Sequence, residues 1–479
     1  MTHIACAGSL APVFTISLAL LGSTFLTGCS DGESNPMIAP DTSLAIQGYW
    51  ERSGYGTILS VAGNELSVFE ATSATCHLLD SGSVADLIGD FSVVRFDADQ
   101  LQLSDSKFGI PAKFSRIETV PVVCDDPIGN LATEQFDHVW HTFNDYYAFF
   151  NEREVDWMGQ YEQWRATLSD QSSEEQLAEA LIGMVTPIKD NHVGLKFDGN
   201  SVFNPALPKG FMQALIDEFE SQSSVTDEAT YIGDQLEQWR ADIQSTYLDS
   251  SFQTLQGEHA GLLEWGVMGN TVGYLSINQL FAELEQSETK DIQLFDEALD
   301  LILADFADTQ ALVIDVRIAP GGRDAVAIAI ANRFADTERL AATKATRTYL
   351  GEGASQSLII RPSERTNYTK PIILITSGFS VSAAEVFTLL MRSLPHVTHL
   401  GEPTNGALSD RLDKGLPNNW EFTLSNEVYR DINGNTFEVT GIPPSVAVPV
   451  LSKEARDRNE DSALNAAFNA LAMPNPALQ

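Results

Sequence analysis

The C-terminal half of the sequence alternates between continuous apolar runs and helical segments, and this pattern restricts the fold more than any other feature. The apolar runs are Val272–Ile277, Ala311–Val316, Ile372–Ile375 and Val397–Leu400. Helical patterns occupy residues 291–305, 324–334 and 382–394. Strands that are apolar at every position are buried on both faces, as in a mostly parallel sheet covered by helices. Residues 270–455 are therefore predicted to form a core that contains βαβ units.

The remainder of the chain predicts further units around this core, so the expected class is α+β and multidomain. Short alternating runs over residues 46–123 indicate a small antiparallel β domain. Residues 124–200 predict a helical N-terminal module, residues 201–269 a helical insert or linker, and residues 456–479 a C-terminal tail. Within the module, one apolar stripe from Phe136 to Phe150 predicts a single helix. A second helix is expected from about Ser173 to Val185, with Ser172 and Glu175 as its capping box. Residues 205–262 show helical periodicity.

The N-terminus has the pattern of an export signal. Residues 10–26 are mostly apolar and uncharged, and the sequence Leu-Thr-Gly-Cys that ends at Cys29 resembles a bacterial lipobox. Residues 1–28 are thus expected to be a lipoprotein signal peptide, Cys29 the lipidated residue and residues 29–45 a flexible tether. A plain cleaved signal is the alternative. The expected location is outside the cytoplasm, anchored by lipid to a bacterial membrane on its periplasmic or cell-surface side. In that oxidising environment Cys76 and Cys124 are candidates for a disulfide.

The charge balance restricts the partners. The formal net charge is −38, with 28 Lys and Arg against 66 Asp and Glu. Nucleic-acid binding requires clustered cations, so neither a nucleic-acid partner nor a polybasic membrane patch is expected. The sequence contains no HExxH, CxxC or P-loop pattern, so no metal and no cofactor are expected.

One turn carries the strongest sign of chemistry. The strand Ile372–Ile375 leads through Ser377, Ser380 and Ser382 into an apolar helix, where free backbone amides suit an acyl-transfer nucleophile. The alternative is that Ser380 or Ser382 only caps the helix. A second strand ends at the pair Gly321-Gly322, where the backbone can approach a ligand closely.

The motifs DVRIAPGG, SAAE, GEPTNG and FEVTGIPP follow one another in this order. Together they resemble the tricorn-core and C-terminal-processing serine peptidases, and the segment 189–195 resembles the end of that family's N-terminal helical module. The resemblance covers residues of about 131–195 and 270–450. Many relatives carry a PDZ domain, whereas residues 196–269 here read as polar and helical.

The resemblance implies a role for individual residues. The nucleophile would be Ser382, and the amide of Ala383 with that of Gly321 or Gly322 would hold the oxyanion. The C-terminal-processing branch uses a Lys where this chain has Ala407, so its Ser–Lys dyad is absent here. The tricorn-like branch uses a His as general base, which corresponds to His192.

Two further residues complete the implied site. Glu438 corresponds to the acid that completes the relay of the tricorn-like branch, and Asn191 stands where that branch has a Ser. The resemblance implies a serine endopeptidase or processing peptidase acting on peptides or unfolded proteins. The alternatives are a non-catalytic peptide-binding lipoprotein of the same fold and an esterase-like serine hydrolase. The oligomeric state is left open.

Overall fold

The computed structural model describes residues 46–88, 92–104, 111–197, 201–221, 227–283 and 287–478. The expected signal peptide, Cys29 and the tether lie outside these residues. Within the described ranges, no helix combines the length and the apolar character needed to cross a membrane. The predicted class is confirmed, since the chain forms a mixed α+β structure with several sheets and helices.

An antiparallel sheet in the order β4-β3-β2-β1-β7-β6-β5 forms the first part of the described chain. Its strands are β1 Gly48–Arg52, β2 Thr57–Ala62, β3 Glu65–Ala71, β4 Cys76–Ser83, β5 Ser92–Phe96, β6 Gln100–Ser104 and β7 Ala112–Ile117. A short helix, α1 (Val84–Ile88), follows β4, and Trp50 is fully buried in the core. Cys76 and Cys124 form a disulfide with a Cα–Cα distance of 5.0 Å, which ties β4 to the segment that leads out of the sheet.

The loop between β1 and β2 attaches this sheet to the rest of the protein. The Tyr55 hydroxyl hydrogen-bonds to the buried carboxylate of Glu427, and Lys414 Nζ donates to the Tyr55 carbonyl at 2.6 Å. Lys414 also lies 3.3 Å from a carboxylate oxygen of Glu70, and both side chains are almost fully buried. Buried ion pairs are costly to separate, so the sheet is a fixed part of the molecule.

The helical module contains α2 (Ala132–Tyr146), α3 (Trp157–Arg165) and α4 (Glu174–Val185). The predicted continuation of α2 to Phe150 is wrong. Tyr147 is extended (ψ 127°), and the amide of Ala148 donates to the Ser425 carbonyl at 3.0 Å, so a tertiary contact ends the helix.

The expected capping box of α4 is displaced by one residue. The reciprocal bonds join Ser173 and Gln176, whereas the Ser172 hydroxyl accepts the amide of Ser169 at 3.0 Å. Because Ser172 is already engaged in this turn, Ser173 takes the capping position of the helix.

The insert is helical only in its first part. It contains α5 (Phe211–Ser221) and α6 (Glu228–Ile243), which continues into a π turn over Gln244–Leu248. The helical prediction for 205–262 is wrong near its end, because the strand β10 (Gln253–Thr254) pairs with β11 (Leu263–Met268).

A mostly parallel sheet forms the centre, in the order β10-β11-β12-β13-β17-β18-β22. Beyond β10 and β11, its strands are β12 Val272–Ile277, β13 Ala311–Asp315, β17 Ile372–Thr376, β18 Val397–Gly401 and β22 Val446–Ala447. Pairing is parallel from β12 to β22. One face is covered by α7 (Glu288–Asp305), α8 (Asp324–Asn332) and α9 (Ala383–Arg392). The carboxyl ends of β13 and β17 therefore meet at one edge of the sheet.

The other face of the central sheet is covered by α5, α6 and the C-terminal helices. These last are α10 (Lys453–Arg456) and α11 (Ser462–Leu471). The expected tail at 456–479 thus contains a packed helix, whose Phe468 is 1% exposed against this face.

Two small sheets complete the core. One contains β14 Arg339–Thr348, β15 Gly351–Glu352, β16 Gln356–Ile360 and β21 Glu427–Asp431. The other contains β8 Gly194–Phe197, β9 Ser201–Phe203, β19 Arg411–Gly415 and β20 Glu421–Ser425. In this second sheet β8 pairs with β20, with Gly194 opposite Thr423. The pairing joins the end of the helical module to the loops beyond β18.

Candidate active site

The turn between β17 and α9 is fixed to the loop after β13 by serine side chains. The Ser377 hydroxyl donates to the carbonyl of Arg317, and the Ser380 hydroxyl donates to the carbonyl of Val316 at 2.7 Å. Ser380 also accepts the amide of Ser377 at 3.0 Å and is fully buried. The hydroxyl of Ser380 is therefore committed to holding the turn, whereas Ser382 is only half-buried.

Ser382 has a backbone conformation that side chains rarely adopt. Its φ is 57° and its ψ is −126°, at the residue that immediately precedes α9. This region is open to glycine but strained for a residue with a Cβ atom, and such strain is found mainly at functional sites. A sharp, strained turn between a strand and a helix is also how α/β-hydrolases expose a nucleophilic serine.

The first amide of α9 is left free beside Ser382. The amide of Ser382 donates to the Ala407 carbonyl at 3.1 Å, and the amide of Ala384 donates to the Val381 carbonyl at 3.0 Å. Between them, the amide of Ala383 has no hydrogen-bond partner among the described residues. The N-terminus of a helix carries partial positive charge, so this amide can stabilise an oxyanion.

A buried carboxylate ties this turn to the loop that follows β18. Glu385 accepts hydrogen bonds from Thr404 Oγ1 and the amide of Gly406 at 2.6 and 2.7 Å. Its other oxygen accepts the amides of Ala407 and Ser382 at 2.8 and 3.3 Å. Burial raises the pKa of Glu385 to about 7, although these hydrogen bonds oppose the rise. Ala407, the position of the dyad lysine in the other branch, is 1% exposed and held by this carboxylate.

The glycine pair after β13 lies against the turn between β17 and α9. This turn, residues 377–382, carries the predicted nucleophile Ser382 and is called the nucleophile turn. Gly321 (φ 106°) is so close that a Cβ atom added to it would lie 2.6 Å from the Cβ atom of Ser382. The carbonyl of Gly321 accepts the amide of Leu280 at 2.9 Å. In a trans peptide the carbonyl and the following N–H point in opposite directions. The amide of Gly322 is therefore directed away from Leu280.

Replacement of Gly321 by alanine is expected to reduce kcat/KM for acyl transfer to Ser382 by at least about 100-fold, the usual effect of losing one oxyanion donor. The added methyl group must displace Ser382 or the glycine pair. Gly63→Ala is the matched control, because Gly63 also has a positive φ of 65° but has no atom within 4 Å of its added Cβ. Steady-state kinetics of both variants checks this, and a Gly321→Ala rate close to that of Gly63→Ala would contradict it.

His192 lies at the entrance to β8 and is 9% exposed. Its amide donates to Asp190 Oδ1 at 2.9 Å, and its carbonyl accepts Thr423 Oγ1 at 2.7 Å. These two bonds fix the backbone of His192 between the helical module and β20. Its ring atom Nδ1 is buried and has no hydrogen-bond partner among the described residues.

The surroundings of His192 keep its imidazole neutral near pH 7. Burial lowers the pKa of His192, and the charge of Arg411 acts in the same direction, while Asp190 raises it. A neutral imidazole can accept a proton from a serine hydroxyl.

Asn191, the residue before His192, connects the helical module to the nucleophile turn. Its Nδ2 atom donates to Asn405 Oδ1 at 3.0 Å. The amide of Asn405 in turn donates to the Ser380 carbonyl at 3.0 Å, and its Nδ2 atom donates to the Gly378 carbonyl at 2.9 Å. Asn191 is thus two hydrogen bonds away from the turn that carries Ser382.

The carboxylate of Glu438 is held by groups other than His192. One oxygen lies 3.3 Å from an Arg153 guanidinium nitrogen, and the other accepts the amides of Leu408 and Ser409 at 2.9 and 3.2 Å. The expected contact that would orient His192 is not formed between these side chains in the described residues. Burial raises the pKa of Glu438 well above its usual value, and the charge of Asp190 adds to the rise.

Asp190 and Arg153 were not predicted from the sequence as site residues. Asp190 is fully buried, accepts the hydroxyl of Tyr147 at 2.8 Å and lies 3.2 Å from Arg153. It exerts the largest charge effect on His192. The position of Asp190 two residues before His192 in the sequence was the available signal, whereas Arg153, in a turn after α2, gave none.

Other lysine and histidine side chains are engaged in structural contacts. Lys414 pairs with Glu70 of the first sheet, as described above. His138 Nδ1 lies 2.8 Å from the Thr75 hydroxyl, and burial lowers the pKa of both His138 and His399 to about 3.

Comparison with known sequences agrees with this geometry. The model of peptidase family S41 matches residues 271–448, and that of the tricorn protease C1 domain matches residues 132–185. A carboxy-terminal-processing protease of Bartonella bacilliformis is 26% identical over 184 residues. That match covers 37% of this chain and 38% of the relative, so the similarity spans well under half of the relative's length.

Solved structures show the same fold. A crystal structure from Parabacteroides merdae, described as that of a candidate peptidase, has a TM-score of 0.56 at 22% identity and covers 72% of this chain and 97% of its own. Mature CPAF complexed with lactacystin has a TM-score of 0.51 at 11% identity and covers 71% and 98%. The two family models match on either side of the insert, and the motifs of the site fall inside or beside the matched ranges. The chain is therefore similar to peptidase family S41 over residues 271–448 and to the C1 domain of the tricorn protease over residues 132–185.

Proposed function

We propose that the protein is a serine peptidase that cleaves peptides or unfolded proteins, with Ser382 as nucleophile and His192 as general base. The observation that carries this proposal is the strained backbone of Ser382, which stands between the free amide of Ala383 and the glycine pair. A helix cap does not require such strain, because an ordinary cap residue has an extended backbone. The match to family S41 supports peptide bonds as the substrate.

The proposed reaction has two halves. Ser382 Oγ attacks the peptide carbonyl carbon while His192 accepts its proton, and the resulting oxyanion receives hydrogen bonds from the amides of Ala383 and Gly322. The carbon–nitrogen bond then breaks, and His192 returns the proton to the leaving amine. Water hydrolyses the acyl-enzyme in the same way, which releases the acid product and the free serine.

The two carboxylates differ in their proposed parts. Asp190 stabilises the imidazolium that forms in the reaction, because its buried charge acts on His192 more than any other charge does. The proposed part of Glu438, to orient His192, rests on the resemblance alone. A contact with His192 requires the Glu438 carboxylate to move away from Arg153. Hydrogen bonds of a catalytic site commonly tighten when substrate binds.

A fluorophosphonate probe tests the proposed nucleophile. An activated Ser382 displaces fluoride from phosphorus and forms a stable phosphoester, which intact-mass and peptide mass spectrometry can locate. Labelling at Ser382 in the wild type supports the peptidase. No labelling, in protein shown to be folded by circular dichroism, supports the non-catalytic peptide-binding alternative. Turnover of an ester but of no peptide would identify the esterase-like alternative.

The dependence of activity on pH follows from the environment of His192. Its pKa is lowered, so the neutral, proton-accepting form persists below pH 6.5, the ordinary pKa of histidine. We expect kcat/KM to be nearly constant around neutral pH and to fall on acidification with a midpoint below about 6.5. A profile of kcat/KM from about pH 4 to 8 checks this. A midpoint above 6.5 would show that Asp190 outweighs burial.

We propose that the protein acts outside the cytoplasm, with Cys29 as its lipid anchor. The disulfide between Cys76 and Cys124 suits an oxidising compartment. Incorporation of an alkyne-labelled fatty acid that is lost in Cys29→Ser would support the anchor. Incorporation that is unchanged in this variant would exclude it.

A further inference from the structure

The segment that joins β9 to α5 enters the proposed active site, although no motif marks it. Asn204 Nδ2 donates to the carbonyl of Asn191 at 2.9 Å. Lys209 Nζ donates to two main-chain carbonyls, that of Asn405 at 2.6 Å and that of Val439 at 2.8 Å. One side chain from the insert thus joins the loop after β18 to the turn that carries Glu438.

The next residue packs on the nucleophile turn itself. A Cβ atom added to Gly210 would lie 3.3 Å from the backbone of Gly378 and 2.8 Å from Glu402 Oε2. A Cβ atom added to Gly378 would lie 3.0 Å from the carbonyl carbon of Lys209. The two glycines allow the segment and the turn to touch backbone to backbone.

The two carbonyls that Lys209 binds belong to a residue with a strained backbone, Val439, and to a residue that bridges two loops, Asn405. Val439 has a φ of 69°, which is a strained conformation for a β-branched residue. It directly follows Glu438, so the bond to its carbonyl restrains the backbone that places that carboxylate. Asn405 is the residue that bridges Asn191 to the nucleophile turn.

The charge of Lys209 also faces the site. Burial lowers the pKa of Lys209, and the charge of Arg153 acts in the same direction, while Glu385, Glu438 and Asp190 oppose this shift. Each of these three carboxylates is almost fully buried. These three acidic groups therefore favour the charged form of Lys209, in which its ammonium group donates to both carbonyls.

We propose that Lys209 is a positioning residue of the peptidase, which holds the Asn405 loop and the Glu438–Val439 turn in the arrangement that aligns His192 with Ser382. The proposal rests on the proposed function. It assigns a part in catalysis to the insert, residues 201–269, through the docking of a single side chain. Lys209 does not touch the reacting atoms, and it acts through Asn405 and Val439.

The test compares Lys209→Ala with a matched lysine at the other edge of the sheet. Lys370 Nζ also donates to two carbonyls, those of Ala307 and Thr309, at the amino ends of the central strands. For Lys209→Ala we expect kcat to fall about 10- to 100-fold, the scale of a misplaced catalytic group, with KM changed less than about threefold. Lys370→Ala is expected to keep the wild-type kcat.

Chemical rescue separates positioning from a general structural role. Methylammonium can occupy the space of the missing ammonium group, donate to both carbonyls and restore kcat of Lys209→Ala but not affect Lys370→Ala. A kcat of Lys209→Ala equal to that of Lys370→Ala, or a lowered kcat that amines do not restore, overturns the proposal. If Lys209→Ala does not fold, Lys209→Met takes its place, because methionine fills a similar space but cannot donate to either carbonyl, and a wild-type kcat in that variant overturns the proposal.

The wild-type result distinguishes this proposal from the proposed function. If the wild type neither hydrolyses peptides nor reacts with the fluorophosphonate, the proposed function itself fails. If the wild type is active and labelled at Ser382, the Lys209 comparison decides the positioning role alone.

Discussion

Ser382→Ala is expected to hydrolyse an unstructured peptide about 10⁴- to 10⁶-fold more slowly than the wild type, because no nucleophile remains to form the acyl-enzyme. Alanine keeps the Cβ atom and therefore the strained backbone, so the loss reports the hydroxyl and not a rearranged turn. Ser382→Ala is still expected to bind the peptide, since the groups around the site are unchanged. Turnover measured with a fluorogenic peptide, together with affinity measured by calorimetry, checks both parts.

Two variants control this experiment. Ser380→Ala removes a buried hydroxyl that bonds Val316 and Ser377, so we expect lower stability but continued labelling of Ser382. Ser382→Gly removes the hydroxyl and the strain together, and we expect it to unfold at a higher temperature than Ser382→Ala. Residual turnover in Ser382→Ala above a hundredth of the wild-type rate, roughly, would rule out this serine as the nucleophile.

Arg317→Met is expected to lower the free energy of unfolding by about 3–5 kcal/mol, the cost of breaking a buried ion pair from one side. Arg317 is fully buried and bonds both carboxylate oxygens of Asp315 and both of Asp461, the latter at 3.0 and 2.9 Å. Its guanidinium also stacks on Trp239 at 4.7 Å. The substitution leaves two buried carboxylates without their cation. Denaturation by urea, followed by tryptophan fluorescence, measures the change.

Arg430→Met supplies the comparison, because Arg430 pairs with Glu352 at the surface, where the two side chains are 30% and 41% exposed. Surface pairs contribute about 0–1 kcal/mol, so this variant is expected to unfold close to the wild type. An Arg317→Met variant as stable as Arg430→Met would contradict the expected cost of breaking this buried ion pair. A multidomain protein can unfold in steps, and the expected loss applies to the transition of the central sheet.

The central sheet was predictable because its signal is local. Apolar runs such as Ile372–Ile375 are buried on both faces, and a run of that kind is visible in the sequence itself. The motif order similarly predicted that Ser382 and the glycine pair follow two strands, and the structure places these strands side by side. Local rules were less accurate at the ends of elements, where Ser173 replaced Ser172 as the cap.

The rest of the candidate site depends on contacts between distant segments. Arg153, Lys209 and Glu438 come from a turn, an insert and a late loop, and no periodicity relates them. The resemblance predicted that Glu438 would contact His192. In the structure its carboxylate instead pairs with Arg153 and accepts hydrogen bonds from backbone amides. Such a choice among competing polar partners is decided by three-dimensional packing, which a single sequence does not encode in any local pattern.

The attachment of the first sheet limits how the protein can be divided into fragments. Tyr55 and Glu70 supply the partners of Glu427 and Lys414, which are buried within the catalytic half of the chain. A fragment that begins after residue 123 would retain this anion and this cation but lose those partners to solvent. Glu427 would keep Lys344 as its ion-pair partner, but Lys414 would lose both the Glu70 carboxylate and the Tyr55 carbonyl. The smallest stable fragment of this chain is therefore expected to begin upstream of Tyr55.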